Sequence, residues 1–345
     1  MAETVPFDLV RLEDYLRASI PGLTGAIAVE PLTGGQSNPT FVIRLDGQKR
    51  YVLRKKPAGP LLPSAHAVDR EYRVMKALGG SDVPVPRMLA LCEDDGVIGT
   101  MFFVMDFADG RSFWDPALPG VEPAERTSVY NEMNRVIAAL HSVDYQAVGL
   151  GDYGKPGNYF ARQIARWSKQ YKASETRHIQ SMENLIAWLP ENIPAGDETT
   201  LVHGDFRLDN LIFHPTEPRI IAVLDWELST LGHPLADFSY HMLAWRLRPD
   251  EFRGMAGVDI ATLGIPNEQD YVSAYCKRTG RQSIKPRDWD FYLAYNMFRL
   301  ACIRQGIMRR VLDGNASNPN AADVGRRAGD MADTAWRLVE TMKTE

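Results

Sequence analysis

Leu201-Val-His203-Gly-Asp205-Phe-Arg-Leu-Asp-Asn210, with Leu224-Asp225-Trp226-Glu227 close behind it, is the stretch from which the fold and chemistry of this 345-residue chain are read. Asn210 follows Asp205 by five positions and precedes Asp225 by fifteen. Two short hydrophobic runs, Leu211 to Phe213 and Ile220 to Leu224, join them around Pro215-Thr-Glu-Pro218 and predict a hairpin. An Asp and an Asn on one loop, then an Asp at the end of the next hairpin, suit transfer of a phosphoryl group. That chemistry needs a carboxylate to hold an acceptor hydroxyl and oxygen ligands for magnesium; the remainder is positioning and charge neutralisation. Asp205 is the candidate catalytic carboxylate, and Asn210 and Asp225 are the candidate metal ligands. His203, just before a tight loop, is read as a backbone anchor. A metal-dependent hydrolase using His203 and the aspartates is the competing chemistry, but a zinc site drawn from His203, Asp205, His214 or Asp225 would fit no common zinc spacing.

Upstream the texture is β-rich. Ile27 to Leu32 runs into Thr33-Gly34-Gly35-Gln36-Ser37-Asn38, then Thr40 to Leu45, Asp46-Gly47, and Arg50-Tyr-Val-Leu-Arg54-Lys55-Lys56. Short apolar runs split by turn dipeptides predict an antiparallel meander. The Gly34-Gly35 loop allows backbone N–H groups to approach an anion, although on its own it also reads as a plain hairpin turn. Arg54, Lys55 and Lys56 leave open which cation reaches phosphate. Val68 to Leu78 predicts a helix closed by Gly79-Gly80, with Glu71, Met75 and Leu78 on one stripe. Gly99 to Phe107 predicts a buried strand leading to a linker. Asp8 is placed as the cap of a first helix carrying Leu9, Leu12 and Leu16.

From about residue 120 the periodicity is helical: Pro123 to His141, Glu175 to Leu189, then 234–247, 267–279 and 286–313. The last contains Trp289, Tyr292, Tyr295 and Phe298, a core stripe, and also Arg299, Arg304, Arg309 and Arg310. A basic final helix leans toward an anionic acceptor, with Arg299 and Arg304 as candidate contacts; a solvated basic face is the plain alternative. The expected division is an N-lobe over 1–108 and a C-lobe over 109–345.

Composition narrows the function classes. Net charge is -5, which gives no general pull toward nucleic acid or anionic membrane. Three scattered cysteines, Cys92, Cys276 and Cys302, argue against a disulfide framework or structural zinc. The opening residues lack a secretory pattern and no apolar run is long enough to span a bilayer, so a cytoplasmic location is expected.

These motifs together resemble the aminoglycoside phosphotransferase and choline kinase superfamily, relatives of protein kinases. The closer resemblance is to the kinase-like domain fused to acyl-CoA dehydrogenases and its free-standing bacterial counterparts. It is carried by Leu32-Thr-Gly-Gly-Gln-Ser-Asn38, Tyr51-Val-Leu-Arg-Lys-Lys-Pro57, Asp69-Arg-Glu-Tyr-Arg73, Val83-Pro-Val-Pro86, Val202 to Asn210, and Leu224 to Asp237. The resemblance implies an α+β, two-lobed protein-kinase-like fold, with a small antiparallel-sheet N-lobe and a larger, mainly helical C-lobe. It implies ATP and Mg2+ as cofactors. It implies Asp205 as catalytic residue, Asn210 and Asp225 as magnesium ligands, and Arg54 paired with Glu71 on the nucleotide phosphates. Gly34, Gly35, Ser37 and Asn38 correspond to the phosphate loop. Residues 105–108, including Met105 and Phe107, correspond to the adenine-reading hinge, and Asp237 to a brace for the catalytic loop. The implied acceptor is a small-molecule hydroxyl, a hydroxyacyl-CoA or hydroxy acid, with an aminoglycoside or amino-alcohol kinase and an idle pseudokinase as alternatives. Arg54 stands where protein kinases use Lys, and Asp225-Trp226-Glu227 replaces Asp-Phe-Gly. Only twelve positions separate Asp225 from Asp237, too few for a long activation loop.

Overall fold

The computed structural model describes residues 5–32, 38–46, 49–57, 66–316 and 318–342. In chain order the elements are α1 (Leu9–Ser19), β1 (Ile27–Pro31), β2 (Thr40–Leu45), β3 (Lys49–Lys55), α2 (Val68–Leu78), β4 (Met88–Cys92), α3 (Asp95–Ile98) and β5 (Phe102–Asp106). There follow α4 (Pro123–His141), α5 (Tyr159–Ser174), α6 (Gln180–Glu191), β6 (Thr200–Val202), β7 (Leu211–Phe213), β8 (Ile220–Val223) and β9 (Thr230–Gly232). The chain closes with α7 (Pro234–Arg246), α8 (Pro249–Phe252), α9 (Glu268–Arg278), α10 (Pro286–Leu312), α11 (Ala321–Arg326) and α12 (Ala328–Met342). The chain divides into two compact units: 1–112 with 145–150 and 209–229, and 113–144 with 151–208 and 230–345.

The first unit is built on an antiparallel sheet of order β1-β2-β3-β5-β4. One face buries Phe41, Ile43, Tyr51, Leu53, Phe102 and Val104 together with Leu12 and Leu16 of α1. Asp8 caps α1 as its position predicts, accepting from the amides of Val10 at 2.9 Å and Arg11 at 3.2 Å, worth about 1 kcal/mol. Helix α2 packs on β4, β5 and the turn at Trp226–Leu228, burying Glu71, Met75 and Leu78 as one stripe. The β7–β8 hairpin belongs to this unit. Phe213 exchanges backbone hydrogen bonds with Arg111 at 2.8 Å each, and the Val223 amide donates to the Pro84 carbonyl at 2.8 Å. Gly110 is required beside it, since a Cβ there would lie 2.1 Å from the Phe213 carbonyl oxygen.

The second unit is helical apart from the β6–β9 pair. Its core is aromatic and centres on α10, which packs on α5, α7 and α12. Phe238 stacks on Tyr275 with centroids 3.8 Å apart, and Phe160 on Tyr292 at 5.2 Å. Trp289, Tyr292, Tyr295 and Phe298 are all buried, the core stripe expected of this helix. One helix differs from its sequence reading. The segment read as starting at Glu175 becomes helical at Gln180, because Ile179 is extended at φ -127° and serves as its cap. Helix α5 precedes it. Its Phe160, Ile164 and Tyr171 form a buried face that the periodicity carried and the reading passed over.

Candidate functional site

Within the first unit, four predicted residues come together. Arg54 leaves β3, where it is paired with Thr40 on one side and Phe103 on the other. Its Nε lies 3.1 Å from Glu71 Oε2 and its Nη2 donates to Asp225 Oδ1 at 2.9 Å. Asn38 is buried and donates from Nδ2 to Glu71 Oε1 at 2.9 Å, while its Oδ1 pairs with His66 Nδ1 at 2.9 Å. The choice left open among three cations is narrowed by this geometry. Lys55 is buried toward the ring of Phe7 at 5.7 Å, and burial lowers its pKa. Lys56 pairs with Asp69 at 3.6 Å near the surface. A lysine ammonium is one point of charge, whereas the planar guanidinium reaches two carboxylates through different nitrogens. Burial raises the Glu71 carboxyl to about 7; Arg54 opposes that rise, and Asp225 and Glu227 add to it. For Arg54 burial acts downward, yet Glu71, Asp225 and Glu227 hold its pKa above the usual value.

Asn210 and Asp225 flank the β7–β8 hairpin. Leu211 is in register with Val223, and the Leu224 amide donates to the Asn210 carbonyl at 2.9 Å, so both residues stand at the same end of one ladder. Asp225 has φ 64° and ψ 60°, a left-handed conformation that costs most residues energy and that Asp tolerates better than β-branched ones. Trp226 fixes this turn: fully buried, it donates from Nε1 to the Val223 carbonyl at 2.9 Å. An amide oxygen and a carboxylate at one hairpin end are hard donors of the type magnesium takes. Asp225 has acceptor capacity beyond the oxygen that Arg54 engages.

The second unit holds Asp205 and its supports. Asp237, on the first turn of α7, accepts from the amides of His203 at 2.7 Å and Gly204 at 2.8 Å, and lies 3.3 Å from His141 Nε2. Burial would raise this carboxyl; the hydrogen bond and charge of His141, with His203, hold it below the ordinary range. His203 is buried, and its Nδ1 accepts from the Asp205 amide at 3.2 Å. Gly204 has φ 84°, so the loop turns where a side chain would be strained. Asp205 Oδ1 accepts from the Tyr240 hydroxyl at 2.7 Å and lies 3.0 Å from Arg207 Nε. Arg299 donates from Nη2 to the Gly204 carbonyl at 2.9 Å, and its guanidinium lies 5.1 Å from the Tyr240 ring centre. Arg304 donates to the carbonyls of Arg327, at 3.2 Å, and Glu251.

Other predicted positions are placed as follows. Met105 is buried near the end of β5, and Phe107 follows the strand under the Arg50 guanidinium at 4.1 Å. Gly34, Gly35 and Ser37 lie outside the described residues. Sequence reasoning missed Tyr240, Arg207, His141 and His66. Tyr240 carried a signal: it follows Asp237 by three positions, which on a helix places both on one face. His141 and His66 carried none, because their partners are distant in sequence.

This geometry has counterparts. The chain matches the phosphotransferase enzyme family (APH) over residues 28–269, and it belongs to that family. It is 49% identical over 333 residues to acyl-CoA dehydrogenase family member 10 of Mus musculus, covering 94% of this chain and 31% of the relative. It therefore spans about a third of that protein. A crystal structure from Ralstonia eutropha JMP134, carrying the provisional name aminoglycoside phosphotransferase, is 57% identical with a TM-score of 0.90, covering 97% of this chain and 99% of the other. A thermostable aminoglycoside phosphotransferase in complex with ADP and hygromycin B is 16% identical with a TM-score of 0.62, over 94% and 97% of the two chains. At that identity the likeness is one of fold. The α+β, two-lobed kinase-like class expected from the sequence is the class of this protein. No helix among the described residues is long and apolar enough to cross a membrane.

Proposed function

We propose that this chain is a small-molecule kinase that moves the γ-phosphate of Mg-ATP to a hydroxyl. The observation that supports it most is the hairpin that sets Asn210 and Asp225 at one end of a single ladder, with Arg54 joining Asp225 to Glu71. In this proposal residues 1–108 are the nucleotide-binding lobe and 109–345 the lobe of the catalytic loop and acceptor, and the protein works in the cytoplasm. Asn210 and Asp225 would hold magnesium, which when bound supplies charge neutralisation on the phosphates. Arg54 offers guanidinium donors to phosphate oxygens, and Asn38 and Glu71 keep it in place. Asp205 accepts the acceptor's hydroxyl proton and orients that oxygen, with Oδ1 fixed by Tyr240 and Arg207. Asp237 and His203 hold the loop that carries Asp205. Gly34, Gly35 and Ser37 would cover the phosphates, and Met105 and Phe107 would border the base.

The acceptor proposed is a hydroxyacyl-CoA or hydroxy acid; the longer mouse relative is named for acyl-CoA dehydrogenation. One observation favours a second reading, an idle nucleotide-binding module: Arg54 already engages Asp225, a candidate metal ligand. The test is phosphate transfer from Mg-ATP to hydroxyacyl-CoAs, hydroxy acids, choline and kanamycin, with Asp205→Ala as control. Transfer lost in the variant supports the kinase; ATP binding without transfer to any acceptor supports the idle module. Absence of ATP binding would sink both. EDTA should abolish transfer and magnesium restore it, whereas zinc retained on purification with no transfer to any acceptor would point to the hydrolase chemistry.

A further inference from the structure

In the second unit α10 reaches the candidate catalytic loop from one face. Asn296 and Arg299 stand three positions apart, so both project from the same side of the helix. Asn296 is buried and donates from Nδ2 to the Ala236 carbonyl at 2.9 Å and to the Ser239 hydroxyl at 2.8 Å. It thereby fastens α10 to α7, the helix that carries Asp237 and Tyr240. Arg299, one turn on, is buried as well and donates from Nη2 to the Gly204 carbonyl at 2.9 Å. Its guanidinium lies 5.1 Å from the ring centre of Tyr240 and 5.8 Å from that of Trp167, on α5. The Tyr240 hydroxyl in turn donates to Asp205 Oδ1 at 2.7 Å. A buried cation is costly unless something opposes it. For Arg299 burial acts downward on the pKa, while the phenols of Tyr295, Tyr240 and Tyr159 and the carboxylate of Asp205 hold it above the usual value. Asp205 is the one carboxylate in that set. Tyr240 links the two charges, its ring meeting the guanidinium and its hydroxyl the carboxylate.

We propose that Arg299 is a positioning residue for phosphoryl transfer, which from α10 holds the Gly204 carbonyl and sets the Tyr240 phenol against Asp205. This rests on the kinase reading above and gives the loop a second support, opposite in kind to Asp237. Asp237 takes the amides of His203 and Gly204, whereas Arg299 takes the Gly204 carbonyl. The peptide planes on both sides of Gly204 are held in this way, at a residue type whose backbone is the least restricted. A cation against the ring face also draws on the phenol and favours donation by its hydroxyl. In this role Arg299 acts through Gly204 and Tyr240, not on the acceptor itself.

The experiment uses the full chain. Arg299→Met removes the charge and the donors and leaves an apolar side chain, a replacement that a buried charged position can accept without unfolding. Arg299→Lys keeps the charge, and Tyr240→Phe keeps the ring. Two readouts are taken: ADP formation from Mg-ATP alone, with water in place of an acceptor, and backbone hydrogen exchange followed by mass spectrometry. Urea midpoints are recorded for each variant. The expected result in Arg299→Met is a kcat lower by at least ~10-fold, with KM for Mg-ATP within ~2-fold of wild type. Arg299→Lys should recover at least ~3-fold of that loss, and combining Arg299→Met with Tyr240→Phe should cost less than the product of the two single losses, because both act on Asp205. The peptide containing His203 to Phe206 should exchange at least ~10-fold faster in Arg299→Met, with the peptides of α9 unchanged. Equal loop exchange, an unchanged kcat, or a raised KM with kcat retained overturns the proposal. So does faster exchange throughout the chain in step with a lower urea midpoint, which would make Arg299 a stabilising residue only. Where the wild type forms no ADP, the exchange result decides the proposal alone. Absence of Mg-ATP binding would remove the kinase reading, and the same exchange result would still decide whether Arg299 holds the loop.

Discussion

Asp205 has one oxygen held by the Tyr240 hydroxyl and the charge of Arg207, and that sets what its replacement should do. Asp205→Asn keeps size and removes the base; transfer to any acceptor found should fall by ~10^2 to 10^4, with Mg-ATP affinity nearly unchanged. Steady-state kinetics beside a nucleotide titration separates the two quantities, and a variant retaining half its activity would remove Asp205 from the chemistry. Asp237 makes the opposite kind of prediction. Its carboxylate is buried under two backbone amides and an imidazole, so Asp237→Ala leaves those donors unpaired. The expected cost is about 3–5 kcal/mol of stability, read as a shift in the urea midpoint. Arg54→Lys tests the bridge between Glu71 and Asp225. A single ammonium matches two separate carboxylates less well than the planar guanidinium does, so nucleotide affinity should weaken by roughly 10-fold, and unchanged affinity would mean the second contact is dispensable.

At the scale of elements, the hairpin and the loop before it were legible in sequence because their signals are local. Asp205, Asn210 and Asp225 stand at short fixed spacings, and the runs that form β7 and β8 are apolar between turn residues. What was not legible depends on chain segments far apart. Nothing near Arg54 distinguishes it from Lys55 and Lys56; the distinction appears only when α2 and the turn after β8 bring Glu71 and Asp225 to it. Arg299 and Arg304 read as solvent or ligand contacts in a linear sequence, and nothing local announces the backbone carbonyls to which each also donates. Helix α5 was passed over although its stripe of Phe160, Ile164 and Tyr171 is present in the sequence. The fit of β7 against Gly110 gives a prediction at this scale. Gly110→Ala pushes a methyl into the Phe213 carbonyl, which should cost about 1–3 kcal/mol and weaken magnesium-nucleotide binding, as the hairpin must shift. A urea series with a parallel nucleotide titration checks both parts.

The whole molecule should be sensitive to acid for a reason visible in its second unit. Burial pushes His233 and His241 each down to about 4; Glu198 opposes this for His233, and Asp237 does so for His241. In the unfolded chain the same groups take a proton near pH 6.5. As pH falls from 6.5 toward 4 the unfolded state therefore binds protons first, and stability is lost over that window; above 6.5 it is fully present. Each group can contribute about 3 kcal/mol by pH 4. The melting temperature should be flat from pH 7 to 8 and fall steeply below pH 6. A folded His241→Gln variant, which can still pair with the Tyr271 hydroxyl, should show about half that slope, and an unaltered slope would place the acid sensitivity elsewhere.

The hairpin that carries Asn210 and Asp225 has a further consequence, for how such chains can diverge. Strand register, not the number of residues between them, sets the two at one end of the ladder. The turn at Pro215–Pro218 lies at the opposite end, where Thr216 and Glu217 are exposed. Extra residues there could accumulate by drift, or be grafted as a reporter peptide, without altering the separation of the two side chains. Deleting one residue inside β7 or β8 would instead slip the register and reverse the faces. Length variation among descendants of this sequence should therefore collect in the turn and spare the strands.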